Sequence, residues 1–333
     1  MLSSTESRFA VDAVCEAALV ARRVQSELVT EALTKGDKSP VTVGDFAAQA
    51  IVARRLAESG MTVPLVGEES AADLRCESGA ATLEQVTHFV RTIFPTATPA
   101  EVCDWIDCGA REPGDEYWTL DPIDGTKGFL RGDQYAVALA LVQGGRVMVG
   151  ALGCPELEKA CEPNRGGVGT VLCAVRDGGA YWRDLDVSGC SPSCAWRRLQ
   201  VSGVTDPAGT RMLRSVEKGH TNLGAIDHLA NAMGVTAEPV GMDSQAKYAV
   251  LAAGGGEMLV RLLSEDRPNY REMVWDQAAG SIVIEEAGGR VTDLDGKPLD
   301  FAKGRTLAAN RGVLATNGHL HDAALAALRE IGA

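Results

Sequence analysis

Leu120-Asp121-Pro122-Ile123-Asp124-Gly125-Thr126-Lys127-Gly128 sets two carboxylates three residues apart and follows them at once with Gly-Thr. The preceding Tyr117-Trp118-Thr119-Leu120 reads as a short strand, which puts Asp121 at the strand's end and Asp124 in the turn. Pro122 restricts the backbone there, and Gly125 permits a left-handed or tight conformation. Carboxylates converging at a turn, beside exposed backbone N–H groups, suit a hard cation and a phosphate. The same composition also makes an ordinary Asp/Pro/Gly surface turn, so the rest of the chain has to decide between them.

Three further acidic segments offer the same chemistry. Pro64-Leu65-Val66-Gly67-Glu68-Glu69-Ser70 is an apolar strand running into a glycine and paired glutamates. Val274-Trp275-Asp276-Gln277-Ala278 sets Asp276 at the opening of an Ala-rich helical run, and Thr42-Val43-Gly44-Asp45 sets Asp45 at the opening of an apolar one. Helix capping accounts for either aspartate as well as catalysis does.

In this order the four segments resemble the inositol monophosphatase superfamily of lithium-sensitive, magnesium-dependent phosphatases. Within it they are most similar to the 3′(2′),5′-bisphosphate nucleotidase branch. The likeness rests on Ser-Pro-Val-Thr-Val-x-Asp at 39–45, Gly-Glu-Glu-Ser at 67–70, the unbroken Asp-Pro-Ile-Asp-Gly-Thr-Lys-Gly-Phe-Leu-Arg-Gly-Asp-Gln-Tyr at 121–135, and Asp-Ser-Gln-Ala-Lys-Tyr at 243–248. It extends from about residue 10 to about residue 318. Lys-Gly-Phe-Leu-Arg-Gly and Asp-Ser-Gln-Ala-Lys separate this branch from plain inositol monophosphatases, and Ile106-Asp107-Cys108-Gly109 looks most like plant and algal members.

The resemblance implies a layered α+β and α/β sandwich of the sugar-phosphatase type. An antiparallel-sheet domain over 1–196 would carry most metal ligands, and a smaller α/β domain over 197–333 would complete the metal and nucleotide site. It implies two to three Mg²⁺ per site. Glu68 and Asp121, with the Ile123 carbonyl, would hold one ion; Asp121, Asp124 and Asp276 would hold a second, with Asp121 as the bridge. Asp45 would act as base and Thr126 would orient the attacking water on a further, weaker cation. Gly125 and Thr126 would turn backbone N–H groups toward phosphate, and Glu69 would stand outside the ligand set. His220, Ser244, Lys247 and Arg261 would contact the nucleotide, the last three at its 5′-phosphate and sugar. Ser244 and Lys247, three apart, share one helical face; taken alone, Lys247 reads as a solvated helix position and His220 as a surface-turn residue. The sequence departs from the branch at Trp275-Asp276-Gln277, where most members have Trp-Asp-His. The ligand is kept, and any contact that the His makes to the base is lost.

The implied reaction is removal of the 3′-phosphate of adenosine 3′,5′-bisphosphate to give AMP and phosphate. The sulfated analogue, 3′-phosphoadenylyl sulfate, would be a second substrate, which places the step in sulfur metabolism. Two alternatives stand beside it: an inositol polyphosphate 1-phosphatase or inositol monophosphatase sharing the metal site, and a non-catalytic nucleotide-binding regulator. The branch-specific segments oppose the first, and retention of all the ligands with Asp45 and Thr126 opposes the second.

Composition sets bounds on all of these. The chain has 333 residues, 45% hydrophobic and 23% charged, which is ordinary for a globular protein with an ample core. A formal net charge of −13 opposes a nucleic-acid groove, which needs a basic footprint. A nucleotide remains compatible, because bound cations and a few basic residues reverse the sign locally. No apolar run approaches the roughly 20 residues of a membrane span, and the first residues lack a signal-peptide core. The expectation is an intracellular soluble protein, cytoplasmic, or plastid or mitochondrial after removal of a transit peptide, acting as a monomer or weak homodimer. Nine cysteines without regular spacing oppose a secreted disulfide framework, and no Cys/His cluster suggests zinc. Buried inert thiols are the default; a bridge between Cys154 and Cys173 is the one pairing that the strand pattern suggests.

The elements that must position these groups follow from periodicity. Helical patterns cover 8–34, the stretch after Asp45, 83–94 and 100–107. Strands are expected at 61–66, 117–121, 135–142, 146–153, 169–175 and 180–186, with Gly144-Gly145 and Asp177-Gly178-Gly179 as hairpin turns. Beyond Trp196, strands near 198–201, 211–216, 238–242, 257–262 and 289–293 alternate with helices near 222–234, 244–253, 276–287 and 319–331. The small-residue stretch 188–193 reads as the boundary.

Overall fold

Ser4 starts the first helix: its hydroxyl accepts the Ser7 N–H at 3.1 Å. The computed structural model describes residues 2–29, 39–185, 195–216, 223–263 and 267–333. In chain order the elements are α1 (Thr5–Val24), α2 (Ser39–Glu58), β1 (Leu65–Gly67), α3 (Ala80–Val90), α4 (Pro99–Asp107), β2 (Glu116–Asp124), α5 (Thr126–Arg131), β3 (Ala136–Gln143), β4 (Arg146–Cys154), β5 (Leu157–Glu158), β6 (Glu162–Pro163), β7 (Thr170–Val175), β8 (Gly179–Asp184) and β9 (Arg197–Arg198). Then follow β10 (Met212–Arg214), α6 (Leu223–Ala232), β11 (Val240–Gly241), α7 (Ala246–Ala252), β12 (Met258–Arg261), α8 (Ala278–Glu286), β13 (Arg290–Thr292), β14 (Val313–Thr316) and α9 (His321–Glu330). Among the described residues, no helix is long and apolar enough to cross a membrane.

Seven strands form the first sheet in the order β1-β2-β3-β4-β7-β8-β9. Its pairs are antiparallel except β1 with β2, so the expectation of an antiparallel sheet holds save at that edge. Alternation divides its side chains between two faces. Val137, Leu139, Leu141, Val149, Ala151 and Val171 join α1 and α2 in one core cluster. Ala136, Ala138, Ala140, Leu152 and Leu172 join α7 and α8 in another. Two glycines of β4 set how closely these layers approach. A Cβ on Gly153 would lie 2.8 Å from Val14 Cγ1 of α1, and one on Gly150 would lie 2.4 Å from Ile282 Cγ2 of α8. The second sheet is mixed, in the order β11-β10-β12-β14-β13, and α6 and α9 pack on it through Leu229, Leu325 and Leu328.

Several expectations change in the structure. α2 begins at Ser39, not after Asp45, with Pro40 in the first turn, where its missing N–H costs no hydrogen bond. The first helix gives way to a π-turn at Gln25–Val29, and positions 30–38 of the expected helix lie outside the described residues. β2 does not end at Asp121; it continues to Asp124. β14 has no counterpart among the sequence expectations: Val313-Leu314-Ala315-Thr316 is too short and too uniformly buried to show alternation. A Cys154–Cys173 bridge is also overturned. Cys154 faces Thr170 across the β4–β7 ladder and Cys173 faces Ala151, three positions away, and both thiols are free and buried. Cys15, buried on α1, is disulfide-bonded instead.

Candidate active site

Residues three apart on a regular strand point to opposite faces, so Asp121 and Asp124 would diverge if β2 were uniform. The ladder with β3 corrects this. Asp121 pairs with Ala138 and Asp124 with Ala136, so three steps on β2 match two on β3. That single extra residue is a β-bulge, and it brings both carboxylates to the face that Ala136 and Ala138 share. Pro122, which cannot donate to a ladder, sits inside the irregularity, where strand proline is tolerated. The chain then turns at Gly125, whose φ of 95° is left-handed, and enters α5. A Cβ on Gly125 would lie 2.7 Å from Ser244 Cβ, so glycine is needed for the backbone conformation and for the approach of the second half of the chain. Phe129, edge-on to Tyr135 at 5.0 Å, buries the inner side of α5.

Other elements deliver the remaining carboxylates. Glu68 follows β1, whose Leu65, Val66 and Gly67 pair in parallel with Trp118, Thr119 and Leu120. Gln49 of α2 clamps this segment: its amide nitrogen donates to the carbonyls of Glu69 and Ile106, each at 2.8 Å, and its oxygen accepts the Glu69 N–H at 3.1 Å. Asp45 lies one turn before Gln49 on the same helix and is 8% exposed. Gly44 admits that helix: a Cβ there would lie 2.6 Å from Ile123 Cδ1. Asp276 precedes α8, and the N-cap position belongs to Gln277, which makes no capping bond. Neither Asp45 nor Asp276 is a helix cap, so the capping explanation fails for both.

Gln245 joins the halves. Its backbone N–H donates to Asp124 Oδ2 at 2.6 Å, its side-chain nitrogen donates to the Trp275 carbonyl at 3.0 Å, and its oxygen accepts the Gly280 N–H at 3.1 Å. Arg305 makes a second link. It donates to the carbonyls of Gly67 at 2.6 Å and Arg111 at 3.1 Å while stacking over Trp275 at 4.8 Å. Asp243 accepts from Ser215 Oγ at 2.9 Å, from the Val216 N–H at 3.1 Å and from Arg131. Ser244 beside it holds a φ of 63°, a strained value for a residue with a side chain.

The cavity these elements enclose has a volume of about 470 Å³. Glu68, Asp121, Ile123, Asp124, Gly125, Thr126 and Asp276 line it, together with Ser244, Lys247 and Arg261. Asp45 does not line it and stands behind, near Glu68 and Glu69. Thr126 is exposed at the mouth, and no hydrogen bond joins it to Asp45 among the described residues. His220 lies outside the described residues.

The electrostatics are those of crowded carboxylates. Burial, then the charges of Glu68, Asp124, Asp276 and Asp45, push the Asp121 carboxyl well above its ordinary range. Asp276 is raised by burial and then by Asp124, and Asp45 by burial and then by Glu69 and Glu68. Glu68 is pushed up to about 7, by its surroundings first and Glu69 next, although its side chain opens to cleft water, which screens part of the effect. Burial pushes Lys247 down to about 8 against the pull of Asp124, whereas Arg261 stays charged beside Glu272.

The donor set suits a hard divalent cation: it consists of oxygen ligands, and the buried Asp121 Oδ1 has no hydrogen-bond partner. Among the described residues no three such groups converge closely enough to close on one ion as they stand. The fit therefore rests on shared field and donor chemistry, not on coordination geometry. Gln49, Gln245 and Arg305 escaped sequence reasoning. Gln49 left a signal as a polar residue on a buried helix face four positions after Asp45, and Gln245 left one by its place in the segment 243–248.

The sequence pattern described as "Inositol monophosphatase family" matches residues 4–333. A Schizosaccharomyces pombe protein named 3′(2′),5′-bisphosphate nucleotidase is 40% identical over 333 residues, covering 95% of this chain and 92% of its own. An Oryza sativa protein of the same name is 38% identical over 346 residues, covering 98% and 94%. Among solved structures, CysQ from Bacteroides thetaiotaomicron, a bacterial member of the inositol monophosphatase family, aligns with a TM-score of 0.63 at 19% identity, covering 95% of this chain and 98% of its own. SuhB from Mycobacterium tuberculosis aligns at 0.62 and 22% identity, covering 97% and 95%. At those identities the structural likeness speaks to the fold alone.

Proposed function

The chain belongs to the inositol monophosphatase family, and on that premise we propose that it is a metal-dependent phosphomonoesterase that removes the 3′-phosphate of adenosine 3′,5′-bisphosphate, giving AMP and phosphate, with 3′-phosphoadenylyl sulfate as a second substrate. The observation that carries this reading is the make-up of the single cavity around Asp124. It holds a carboxylate group fit for cations and, beside it, Lys247 and Arg261, two cationic side chains set back from solvent, the former 6% exposed; the third cation of the lining, Lys127, is exposed. A buried ammonium is retained only against a compensating charge. A substrate with one phosphate at the cation-binding carboxylates and a second at Lys247 and Arg261 uses both halves; an inositol monophosphate uses only one.

Family membership implies a divalent metal, generally Mg²⁺, and the proposal assigns two to three ions to these carboxylates. Glu68, Asp121 and the Ile123 carbonyl would hold one, and Asp121, Asp124 and Asp276 a second. When bound, such cations neutralise phosphoryl oxygens and acidify water. The chain's own residues do the rest. Asp45, its proton affinity raised by burial, accepts the proton of the attacking water. Thr126, at the cavity mouth, orients that water; the link between the two forms with substrate and cations in place, since catalytic hydrogen bonds often tighten only in the complex. The N–H groups of Gly125 and Thr126 face the transferred phosphate at the start of α5. Lys247 and Arg261 anchor the 5′-phosphate, Arg261 as a planar fork and Lys247 as a point charge. Ser244 joins them at the 5′-phosphate and sugar, and His220, outside the described residues, is assigned to the nucleotide. Residues 1–196 act as the lobe with most metal ligands and 197–333 as the lobe that completes the site, in an intracellular monomer or weak homodimer.

The test is phosphate release with Mg²⁺ from adenosine 3′,5′-bisphosphate, adenosine 3′-monophosphate and inositol 1-phosphate. The reading expects preference in that order and no turnover with chelator present. Preference for inositol 1-phosphate, or metal-independent release, refutes it.

A further inference from the structure

We propose that Glu272 is a positioning residue for substrate: it fixes the Arg261 guanidinium for the 5′-phosphate and keeps it off the metal-binding carboxylates. This rests on the reading of Arg261 given above. Glu272 is 5% exposed and does not line the cavity, whereas Arg261 does. Arg261 donates to it along one edge, Nη2 to Oε2 at 3.0 Å and Nε to Oε1 at 3.4 Å. That geometry occupies one side of the guanidinium fork. Nη1 makes no hydrogen bond among the described residues, and the side chain, 24% exposed, lines the cavity.

The carboxylate is itself locked. Gln277 donates its amide N–H to Glu272 Oε2 at 3.0 Å, and the Tyr248 hydroxyl donates to Gln277 Oε1. Both residues are almost fully buried, at 2% and 3% exposure. The Gln277 amide thus has a donor and an acceptor facing opposite ways, and each is filled. On the backbone, the Leu307 N–H donates to the Glu272 carbonyl at 2.8 Å, which pins the residue independently of its side chain.

The alternative partners of Arg261 show why this lock matters. Its charge is felt by both Asp124 and Asp276. A guanidinium without Glu272 would move toward the nearest uncompensated carboxylates, since a buried charge left unpaired is costly. Those are the groups needed for cations. Glu272 prevents this competition by satisfying one edge of Arg261 with a carboxylate that does not line the cavity, and Gln277 keeps Glu272 aimed without adding a second positive charge.

The experiment compares wild type, Glu272→Gln, Arg261→Ala and the double variant on adenosine 3′,5′-bisphosphate and on adenosine 3′-monophosphate. Loss of one charge-assisted pair predicts that Glu272→Gln raises KM for the bisphosphate about tenfold, with kcat changed less than about threefold. At saturating Mg²⁺, where the cations outcompete Arg261 for the carboxylates, KM for the 3′-monophosphate, which has no group for Arg261, changes less than about twofold, and Glu272→Gln adds nothing on the Arg261→Ala background. Calorimetric binding of AMP supplies a readout that needs no turnover and weakens by the same factor. Should wild type fail to hydrolyse the bisphosphate, the proposed function falls while the AMP titration still judges Glu272. Should Glu272→Gln fail to fold, Tyr248→Phe replaces it, with a shift in the same direction of about threefold. Equal loss on both substrates, a full additional loss on the Arg261→Ala background, or unchanged AMP affinity would overturn the proposal.

Discussion

Gln245→Leu tests how the two halves of the site are held together. Leucine keeps nearly the same volume, so no cavity opens, and the backbone bond from residue 245 to Asp124 survives. What is lost is the side-chain amide between the Trp275 carbonyl and the Gly280 N–H. Both groups are buried, and a buried backbone group left without a partner costs about 1–3 kcal/mol. Two such groups give about 2–6 kcal/mol; water entering from the neighbouring cleft offsets part of this, so the lower half of that range, about 2–4 kcal/mol, is expected. Trp275 precedes Asp276 directly, so the turn that presents this carboxylate loosens as well. If 1.4 kcal/mol of the loss falls on that turn, half-saturating Mg²⁺ for phosphate release rises about tenfold. Urea unfolding in chelator gives the stability term, and a Mg²⁺ titration of turnover gives the second. A stability change below about 0.5 kcal/mol would refute the account of the orphaned groups. A large loss of stability with unchanged Mg²⁺ demand would refute the link from Gln245 to Asp276 and leave it as scaffold.

Asp121→Asn removes one charge from a buried set of mutually repelling carboxylates, so metal-free stability by urea unfolding is retained or raised while Mg²⁺-dependent turnover is lost; near-normal turnover at ordinary Mg²⁺ would sink the bridging role. Asp45→Asn and Thr126→Ala should lower kcat far more than they raise KM, and the double variant should be little worse than either single one; losses that multiply would separate the two residues. His321 is buried, with its Nε2–H toward Thr292 Oγ1 at 2.9 Å and its Nδ1 accepting from Thr316 Oγ1 at 3.0 Å, and burial pushes it down to about 4. The unfolded chain therefore takes up this proton first: the stability from His321 is complete above its unfolded value near 6.5 and is lost as pH falls through 4, about 2 kcal/mol of it by pH 5. A wild-type minus His321→Gln stability difference that stays flat between pH 7.5 and 5 contradicts this. Peptide mapping after oxidation should find no Cys154–Cys173 link, given their offset across the ladder; finding one would mean that the register is wrong.

Residue type and short spacing were enough to nominate the chemistry. Asp121, Asp124, Glu68 and Asp276 are hard oxygen donors in turn-forming company, and the structure lines one cavity with all four. The β3–β4 hairpin was equally legible: Gly144 and Gly145 both take the positive φ that a tight two-residue turn requires. Lys247 was not legible on its own, because a lysine on a short helix reads as a solvated face; in the fold it is buried, and the charge of Asp124, distant in sequence, offsets part of the cost. The direction in which Asp121 and Asp124 point could not be read either. Spacing of three on a strand predicts divergence, and only the offset against Ala138 and Ala136 shows the extra residue that turns both to one side. Asp45 and Asp276 looked like caps because capping is a local pattern; the true helix starts, Ser39 and Ala278, depend on how α2 and α8 pack on the two faces of the sheet. Gln49, Gln245, Glu272 and Arg305 act through partners from 5 to 238 residues away along the chain. A sequence can supply the groups that react, because their chemistry is intrinsic; the groups that aim them are defined by contacts across the fold, and those exist only once the two sheets and their helices have come together.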